Sequence, residues 1–329
     1  MEKVAVIGSN SFSGSDFVDL LLDEPDKEVI GMSRSPEKSP LFLPYRTRQE
    51  AKFQFFQMDL NHQMAQVLEL LDSFEPDYVV NFAAQSEVAP SWKYPEQWFQ
   101  TNVVALAKLA DALKDRSYLK RYVQISSPEV YGVCRGRVRE SAPLNPSTPY
   151  AASKAAADLF LLTLARHFKF PLILIRSTNV YGPHQQLWKI IPRSVIYLKL
   201  GKKIPLHGGG VAVKSYIHIR DVSRGERALM EKGIPGTIYH LSPEKGYAVR
   251  EVVRVICHRM GRNFEESTVS VGERLGQDAR YVIDSSRASR QVGWSPTISL
   301  QQGVAAVIDW IEENWGLVAK EPLEYVHRP

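Results

Sequence analysis

The stretch Val4-Ala5-Val6-Ile7-Gly8-Ser9-Asn10-Ser11-Phe12-Ser13-Gly14 passes from a short apolar run into a glycine-bounded turn, and a helical pattern, Ser13–Leu22, follows. An apolar run of four reads as a strand. Glycine at both ends of the turn lets backbone amides and a helix N-terminus approach a pyrophosphate. The spacing matches Gly-x-x-Gly-x-x-Gly in its first and last positions, with Ser11 where the middle glycine would stand. Either Ser11 tolerates the backbone geometry required there, or the turn is slightly wider. Such turns also occur with no ligand, but this one lies in the first strand–helix unit, where a dinucleotide would be held. Gly8, Ser11, Phe12 and Gly14 are therefore expected to contact a cofactor.

Outward from this unit, apolar runs at Glu28–Met32, Phe53–Met58, Tyr78–Phe82, Arg121–Ile125 and Leu172–Arg176 alternate with helical patterns at Met64–Leu71, Phe99–Leu113 and Ala151–His167. Alternation of this kind predicts right-handed strand–helix–strand units and a parallel sheet covered on both faces. After Asn179 the texture changes: Gly and Pro punctuate the chain at Gly182-Pro183, Pro192, Gly201, Pro205 and Gly208-Gly209-Gly210, between helical pieces around Ile190–Leu200, Arg250–Met260 and Leu300–Trp315. The expected class is α/β, a Rossmann-type doubly wound parallel sheet with a smaller C-terminal α/β substrate-binding region. Residues 1–178 would bind the dinucleotide. Residues 179–329 would mainly bind substrate over the carboxyl ends of the strands, with parts returning to the sheet.

Composition agrees with an ordinary globular chain. Of 329 residues, 44% are hydrophobic and 23% charged, enough for a large core. The net charge of +5 is modest, and its Lys and Arg are scattered among acids, which argues against nucleic acid and for a local phosphate pocket. Two distant cysteines, Cys134 and Cys257, have no metal-ligand spacing. A reducing cytoplasm is the expected setting, with no disulfide framework and no metal. The apolar run after Met1-Glu2-Lys3 is too short for a signal peptide, and no stretch is long enough to span a bilayer. The protein is expected to be cytoplasmic, with no nucleic-acid or membrane partner.

The second strand ends Gly31-Met32-Ser33-Arg34-Ser35, without the acid that would grip a ribose 2′-hydroxyl. Arg34 instead suits a 2′-phosphate, which favours NADP over NAD. Asp59 and Leu60, after the third strand, are placed to meet the adenine amino group. Tyr150 and Lys154 stand four residues apart at the start of a strong helix, on one face. An ammonium near the phenol is expected to lower its pKa toward working pH, so that it removes a hydroxyl proton while hydride leaves the same carbon for nicotinamide.

The ordered set Gly8…Gly14, Asn81-Phe82-Ala83-Ala84, Ser126-Ser127, Tyr150…Lys154 and Arg176…Asn179-Val180-Tyr181-Gly182-Pro183 resembles the extended short-chain dehydrogenase/reductase superfamily over nearly the whole chain. The resemblance implies that Ser127 bonds the reacting hydroxyl and that Ala83 meets the cofactor. The loop Ser126-Ser127-Pro128-Glu129-Val130-Tyr131-Gly132 resembles that of nucleotide-sugar 4,6-dehydratases, NAD(P)-dependent hydro-lyases acting on activated hexoses. After oxidation at C4 the C5 proton becomes acidic, and Glu129 is the candidate base that removes it as the C6 hydroxyl leaves. Glucose-type dehydratases carry Asp before this Glu as the acid for the departing hydroxyl. Mannose-type enzymes carry Ser, and this chain has Pro128, which has no proton to donate.

The same resemblance assigns the sugar-nucleotide end. Gln85 and Ser86 lie in Ala84-Gln85-Ser86-Glu87-Val88, similar to a mannose-type segment with Glu87 in place of His. Asn179, Lys189, Lys214 (where the family has Arg) and Arg274 are implied contacts of the diphosphate. His184 and His207 read first as loop histidines, with substrate contact as the alternative, and Trp294, Trp310 and Trp315 as packing anchors rather than base-stacking platforms. A homodimer pairing the helices Phe99–Leu113 and Ala151–His167 is implied by the resemblance. The rival activities are decarboxylation, epimerisation or reduction of a nucleotide sugar. From another class, the alternative is a catalytically idle NAD(P)-binding regulator, against which the intact Ser127, Tyr150 and Lys154 argue.

Overall fold

Seven strands lie side by side in the order Thr237–Leu241, Leu172–Ser177, Arg121–Ser126, Tyr78–Asn81, Glu2–Ile7, Lys27–Ser33, Phe53–Gln57, each parallel to its neighbour. The computed structural model describes residues 1–48, 52–134, 136–273 and 280–327. Strand order reverses between Glu2–Ile7 and Tyr78–Asn81, and the crevice at their carboxyl ends is where such sheets bind ligands. The first strand shows why the sheet is buried on both sides. Val4 and Val6 join the core under helices Phe12–Leu21 and Ile219–Lys232, whereas Ala5 and Ile7 join the core under Met64–Phe74, Leu106–Leu113 and Pro149–Phe168. Period-two alternation of apolar side chains thus feeds two cores at once.

The helices Ile190–Lys199, Val249–Arg259 and Leu300–Glu313 pack on one another around Val195, Val253 and Val307, a third core beyond the strand ends. Short pairings carry the chain between the cores. Asn179–Tyr181 runs parallel to Tyr216–His218, and Val213–Lys214 pairs with Tyr247–Ala248 and Arg280–Ile283. None of these short strands was legible as a strand, nor was Thr237–Leu241, which closes one edge of the main sheet. Among the described residues no helix is long and apolar enough to cross a membrane.

Two helices depart from expectation. The segment expected as one helix over Phe99–Leu113 starts earlier, at Pro95, and contains a π-helical stretch, Gln100–Ala105. The segment Leu300–Trp315 is broken at Asn314, after which a separate turn, Trp315–Val318, begins.

Candidate active site

The glycine turn is built by contacts that only glycine allows. Gly8 has φ 85°, and a Cβ there would lie 2.7 Å from the Ala83 amide nitrogen; a Cβ on Gly14 would run into the Gly8 carbonyl oxygen. Ser11 does not need the missing glycine's freedom. Its φ −79° and ψ 164° are ordinary extended backbone, and its Oγ accepts from Gly14 N at 3.0 Å, capping the helix. A cleft of about 210 Å³ runs from Gly8 and Ser11 past Arg34, Asp59 and Leu60 to Ala83. With no room for a side chain at Gly8 or Gly14 the backbone stays close-packed, and the cleft beside the turn fits a dinucleotide.

Asn10, Lys38 and Asn61 line the same cleft, and sequence reasoning missed them. Asn10 is buried and donates through Nδ2 to Ser35 O at 3.0 Å, while its Oδ1 accepts from Lys38 N at 3.2 Å. It therefore holds the loop bearing Arg34 against the glycine turn. Asp59 is engaged within its own turn, accepting from Asn61 N at 2.8 Å and meeting His62 Nδ1 at 3.0 Å.

Tyr150 and Lys154 lie in the first turns of helix Pro149–Phe168, which Thr148 caps by accepting from Ala151 N at 3.1 Å, with Pro149 at the position where its missing N–H costs nothing. Both side chains are buried. Burial opposes the expected lowering of the phenol. Burial pushes Tyr150 well up, the Glu129 carboxylate adds to it, and only the Ser127 hydrogen bond draws it down. Lys154 donates to Ile125 O at 2.7 Å, and burial draws its ammonium down to about 8.

The π-helical stretch has a structural consequence here. Asn102 accepts from Gln85 N at 2.8 Å through Oδ1 and donates through Nδ2 to Gln85 O at 3.0 Å and Ser153 Oγ at 2.9 Å. Ser153 in turn donates to Tyr150 O at 2.7 Å. The loop after the fourth strand is thereby tied to the helix bearing the tyrosine. Gln85 consequently lines the dinucleotide cleft, while Ser86 lines the neighbouring pocket.

Ser127 caps a short 3₁₀ turn, Pro128–Tyr131, by accepting from Glu129 N at 3.2 Å. Pro128 is buried at the first position of that turn, where a fixed φ suits the backbone. A buried polar chain supports the turn from below. Asp158 accepts from Ser126 Oγ at 2.9 Å and from Arg176 Nη2 at 2.8 Å; Arg176 donates to the Tyr131 hydroxyl and stacks 4.7 Å from its ring centre. Tyr131 Oη lies 2.7 Å from His240 Nε2, and His240 Nδ1 lies 3.1 Å from Asp284 O. Burial, and then the nearby guanidinium, push His240 down to about 3, so the ring is neutral. A carbonyl can only accept, so Nδ1 carries the proton, Nε2 accepts from Tyr131, and every link has one donor.

A pocket of about 580 Å³ adjoins this turn, with Glu129, Ser86, Asn179, Lys189 and Lys214 in its walls. Asn179 accepts from the Tyr281 hydroxyl, and Lys214 Nζ lies 4.7 Å from the Tyr281 ring centre. Lys189 is held by a carboxylate: its Nζ lies 2.6 Å from Glu87 Oε1, which also accepts from Trp188 Nε1 at 3.2 Å. Arg193, His207 and Tyr325 also line the pocket, His207 being a residue read first as a loop histidine and second as a substrate contact. Trp294 instead packs in the first core and donates to Asp221 O at 2.8 Å, and His184 meets Leu41 O at 2.8 Å. Arg274 lies outside the described residues.

The family model described as GDP-mannose 4,6 dehydratase matches residues 6–307. A dTDP-glucose 4,6-dehydratase of Xanthomonas campestris pv. campestris is 33% identical over 268 residues, 76% of each chain. The crystal structure of the dTDP-glucose 4,6-dehydratase DesIV from Streptomyces venezuelae, solved with NAD bound, superposes with a TM-score of 0.88 at 32% identity, covering 98% of this chain and all of that one. A UDP-glucuronic acid 4-epimerase from Bacillus cereus, in complex with UDP-glucuronic acid and NAD, superposes with a TM-score of 0.87 at 25% identity, covering 94% and 99%.

Proposed function

This chain belongs to the GDP-mannose 4,6-dehydratase family, and we propose that it converts a nucleotide-activated hexose to its 4-keto-6-deoxy form by NAD(P)-dependent dehydration. The observation that carries this reading is Glu129, which lines the large pocket two residues from Ser127, whose hydroxyl draws the Tyr150 phenol down. The nicotinamide dinucleotide, when bound, supplies the acceptor and later the donor of one hydride. Tyr150 takes the proton of the C4 hydroxyl, with Ser127 orienting that hydroxyl, as hydride leaves C4. Lys154, an ammonium below about pH 8, offsets the charge of the phenolate. Glu129 then removes the C5 proton, which the new ketone makes acidic. Pro128 has no proton to give, so Glu129 returns this one to the C6 hydroxyl, which leaves as water. Hydride comes back to C6, and C5 takes up a proton equivalent to the one Tyr150 removed, so the cofactor ends unchanged.

Gly8, Ser11, Phe12, Gly14, Asp59, Leu60 and Ala83 would hold the dinucleotide. Arg34, with Lys38 in the same cleft, favours NADP; the NAD bound to DesIV makes NAD the alternative. The diphosphate would fall to Asn179, Lys189, Lys214 and Arg274. Residues 1–178 are read as the cofactor domain, and 179–329 as mainly the substrate domain. A homodimer is supported by Phe99, Val104 and Leu159, exposed apolar side chains on the two helices expected to pair.

The test is incubation with a panel of nucleotide hexoses, following the sugar by mass spectrometry. Loss of one water supports dehydration. Pro128 favours one second reading, decarboxylation of a nucleotide glucuronate, which needs no acid for a departing hydroxyl; it would release carbon dioxide instead. Cofactor binding with no turnover of any sugar would favour an idle regulator.

A further inference from the structure

Beyond Val318 the chain keeps one contact with the third core, through Leu323, and runs along the substrate pocket, where Glu324 and Tyr325 line the wall with Glu87, Glu129 and Trp188. The match to the family model ends at residue 307, before this segment. Its path is fixed by aromatic contacts. The Tyr325 ring meets Trp188 edge-on, 5.7 Å between centres, and its hydroxyl lies 3.1 Å from His327 Nδ1. His327 stacks on Tyr94 at 5.0 Å and on Trp98 at 5.4 Å, with Nε2 2.7 Å from Gln97 Oε1. Tyr94, Gln97 and the fully buried Trp98 belong to the segment before the π-helical stretch, on the dinucleotide side. The segment therefore bridges the two sides of the molecule across the pocket.

Charge is mixed within that pocket: Lys189, Arg193 and Lys214 line it with Glu87, Glu129 and Glu324, and Glu87 is paired with Lys189. Glu129 and Glu87 both line this pocket, and the Tyr150 phenol lies in the field of both. Tyr325 shares the field of Glu87, which pushes its phenol up, and of Arg34, which draws it down, behind the larger effect of burial. Through Tyr325 and Trp188, the strap bearing Glu324 is continuous with the wall that bears Glu87.

We infer that residues 320–327 form a wall of the substrate site, and that Glu324, with Glu129, selects a neutral hexose over a hexuronate. The inference rests on the proposed function for what occupies the pocket. A hydroxymethyl group at C6 can donate hydrogen bonds to carboxylates. A carboxylate there meets like charge, and each such charge about 5 Å away in a wet pocket weakens binding by about fivefold.

Calorimetric binding of UDP-glucose, dTDP-glucose and UDP-glucuronic acid to the full chain tests this without requiring turnover. Wild-type protein is expected to bind UDP-glucuronic acid at least tenfold more weakly than UDP-glucose. Glu324→Gln should narrow that ratio about fivefold, and Tyr325→Ala should weaken both sugars while leaving dinucleotide binding unchanged. Hydrogen exchange over residues 94–99 should rise in His327→Ala if the strap is docked in solution. An unchanged ratio in Glu324→Gln, with unchanged sugar affinity in Tyr325→Ala, would overturn the inference and leave the dehydratase reading standing. Discrimination in binding, with no water released from any hexose, would support the wall and overturn the reaction.

Discussion

Replacing Glu129 by Gln keeps the length and hydrogen-bonding reach of the side chain while removing its charge and its basic site. Two effects follow, in opposite directions. The Tyr150 phenol is raised by burial and further by the Glu129 carboxylate, so neutralising that carboxylate makes phenolate easier to form. Phenolate is the form that accepts the C4 hydroxyl proton, and the oxidation step of the variant should therefore reach its plateau at lower pH than in wild type. Elimination loses its base, and a positioned general base is worth about 10²–10⁴ in rate, or about 3–5 kcal/mol of barrier. Hydride that has left C4 then has no olefinic C6 to return to. Rapid mixing with a nucleotide hexose should show reduced nicotinamide accumulating by absorbance, while mass spectrometry shows water release slowed by at least a hundredfold. Glu129→Asp, which retains a base on a shorter arm, should recover part of that loss. Water release at the wild-type rate from Glu129→Gln would refute the assignment. So would loss of oxidation in a variant that still binds cofactor, because the carboxylate would then act before the step assigned to it.

Other consequences concern the scaffold. Asp158→Asn leaves the guanidinium of Arg176 buried without its counter-ion, and urea unfolding should show a loss of about 3–5 kcal/mol; a near-neutral change would mean that the pair is not the support of the catalytic turn. Glu226 is fully buried, with neither carboxylate oxygen hydrogen-bonded to a described residue, and burial raises its pKa well above the usual range. The folded state thus holds a proton that the unfolded state releases. The group costs nothing below about pH 4.5, and stability falls by about 1.4 kcal/mol per pH unit above that, until the folded pKa is passed. Glu226→Gln should abolish that slope, and parallel stability–pH curves for the two proteins would contradict the reasoning. Arg34→Asp should weaken NADP at least tenfold relative to NAD in equilibrium titrations; an unchanged ratio would remove Arg34 from 2′-phosphate recognition. Leu159→Glu should shift the protein from dimer to monomer in light scattering, and an unaltered mass would place any self-association elsewhere.

The features legible in the sequence are those written in local spacing. Short apolar runs announced six of the seven parallel strands, and the glycine turn announced the crevice because Gly8 and Gly14 are needed where backbone meets backbone. Tyr150 and Lys154 were legible as a pair because four residues make about one helical turn. Thr237–Leu241 escaped notice because it lies within a Gly- and Pro-rich half and pairs only with a strand more than sixty residues before it. The π-helical stretch escaped too, since nothing in Gln100–Ala105 marks the insertion. Asn102 matters through Gln85 and Ser153, 17 and 51 positions away.

Sequence alone therefore determined the sheet, the turn that receives a dinucleotide, and which side chains are chemically able to move a proton. Tertiary structure decided the state in which those groups stand. Burial raises the Tyr150 phenol and lowers the Lys154 ammonium, the reverse of what their spacing predicts for the phenol, because desolvation depends on what packs around a group and not on its neighbours in the chain. Lys189 meets Glu87 across 102 residues, and Tyr325 closes on Trp188 from the far end of the described chain. Contacts of that range are set by how helices and loops pack against the sheet, and no local pattern encodes them.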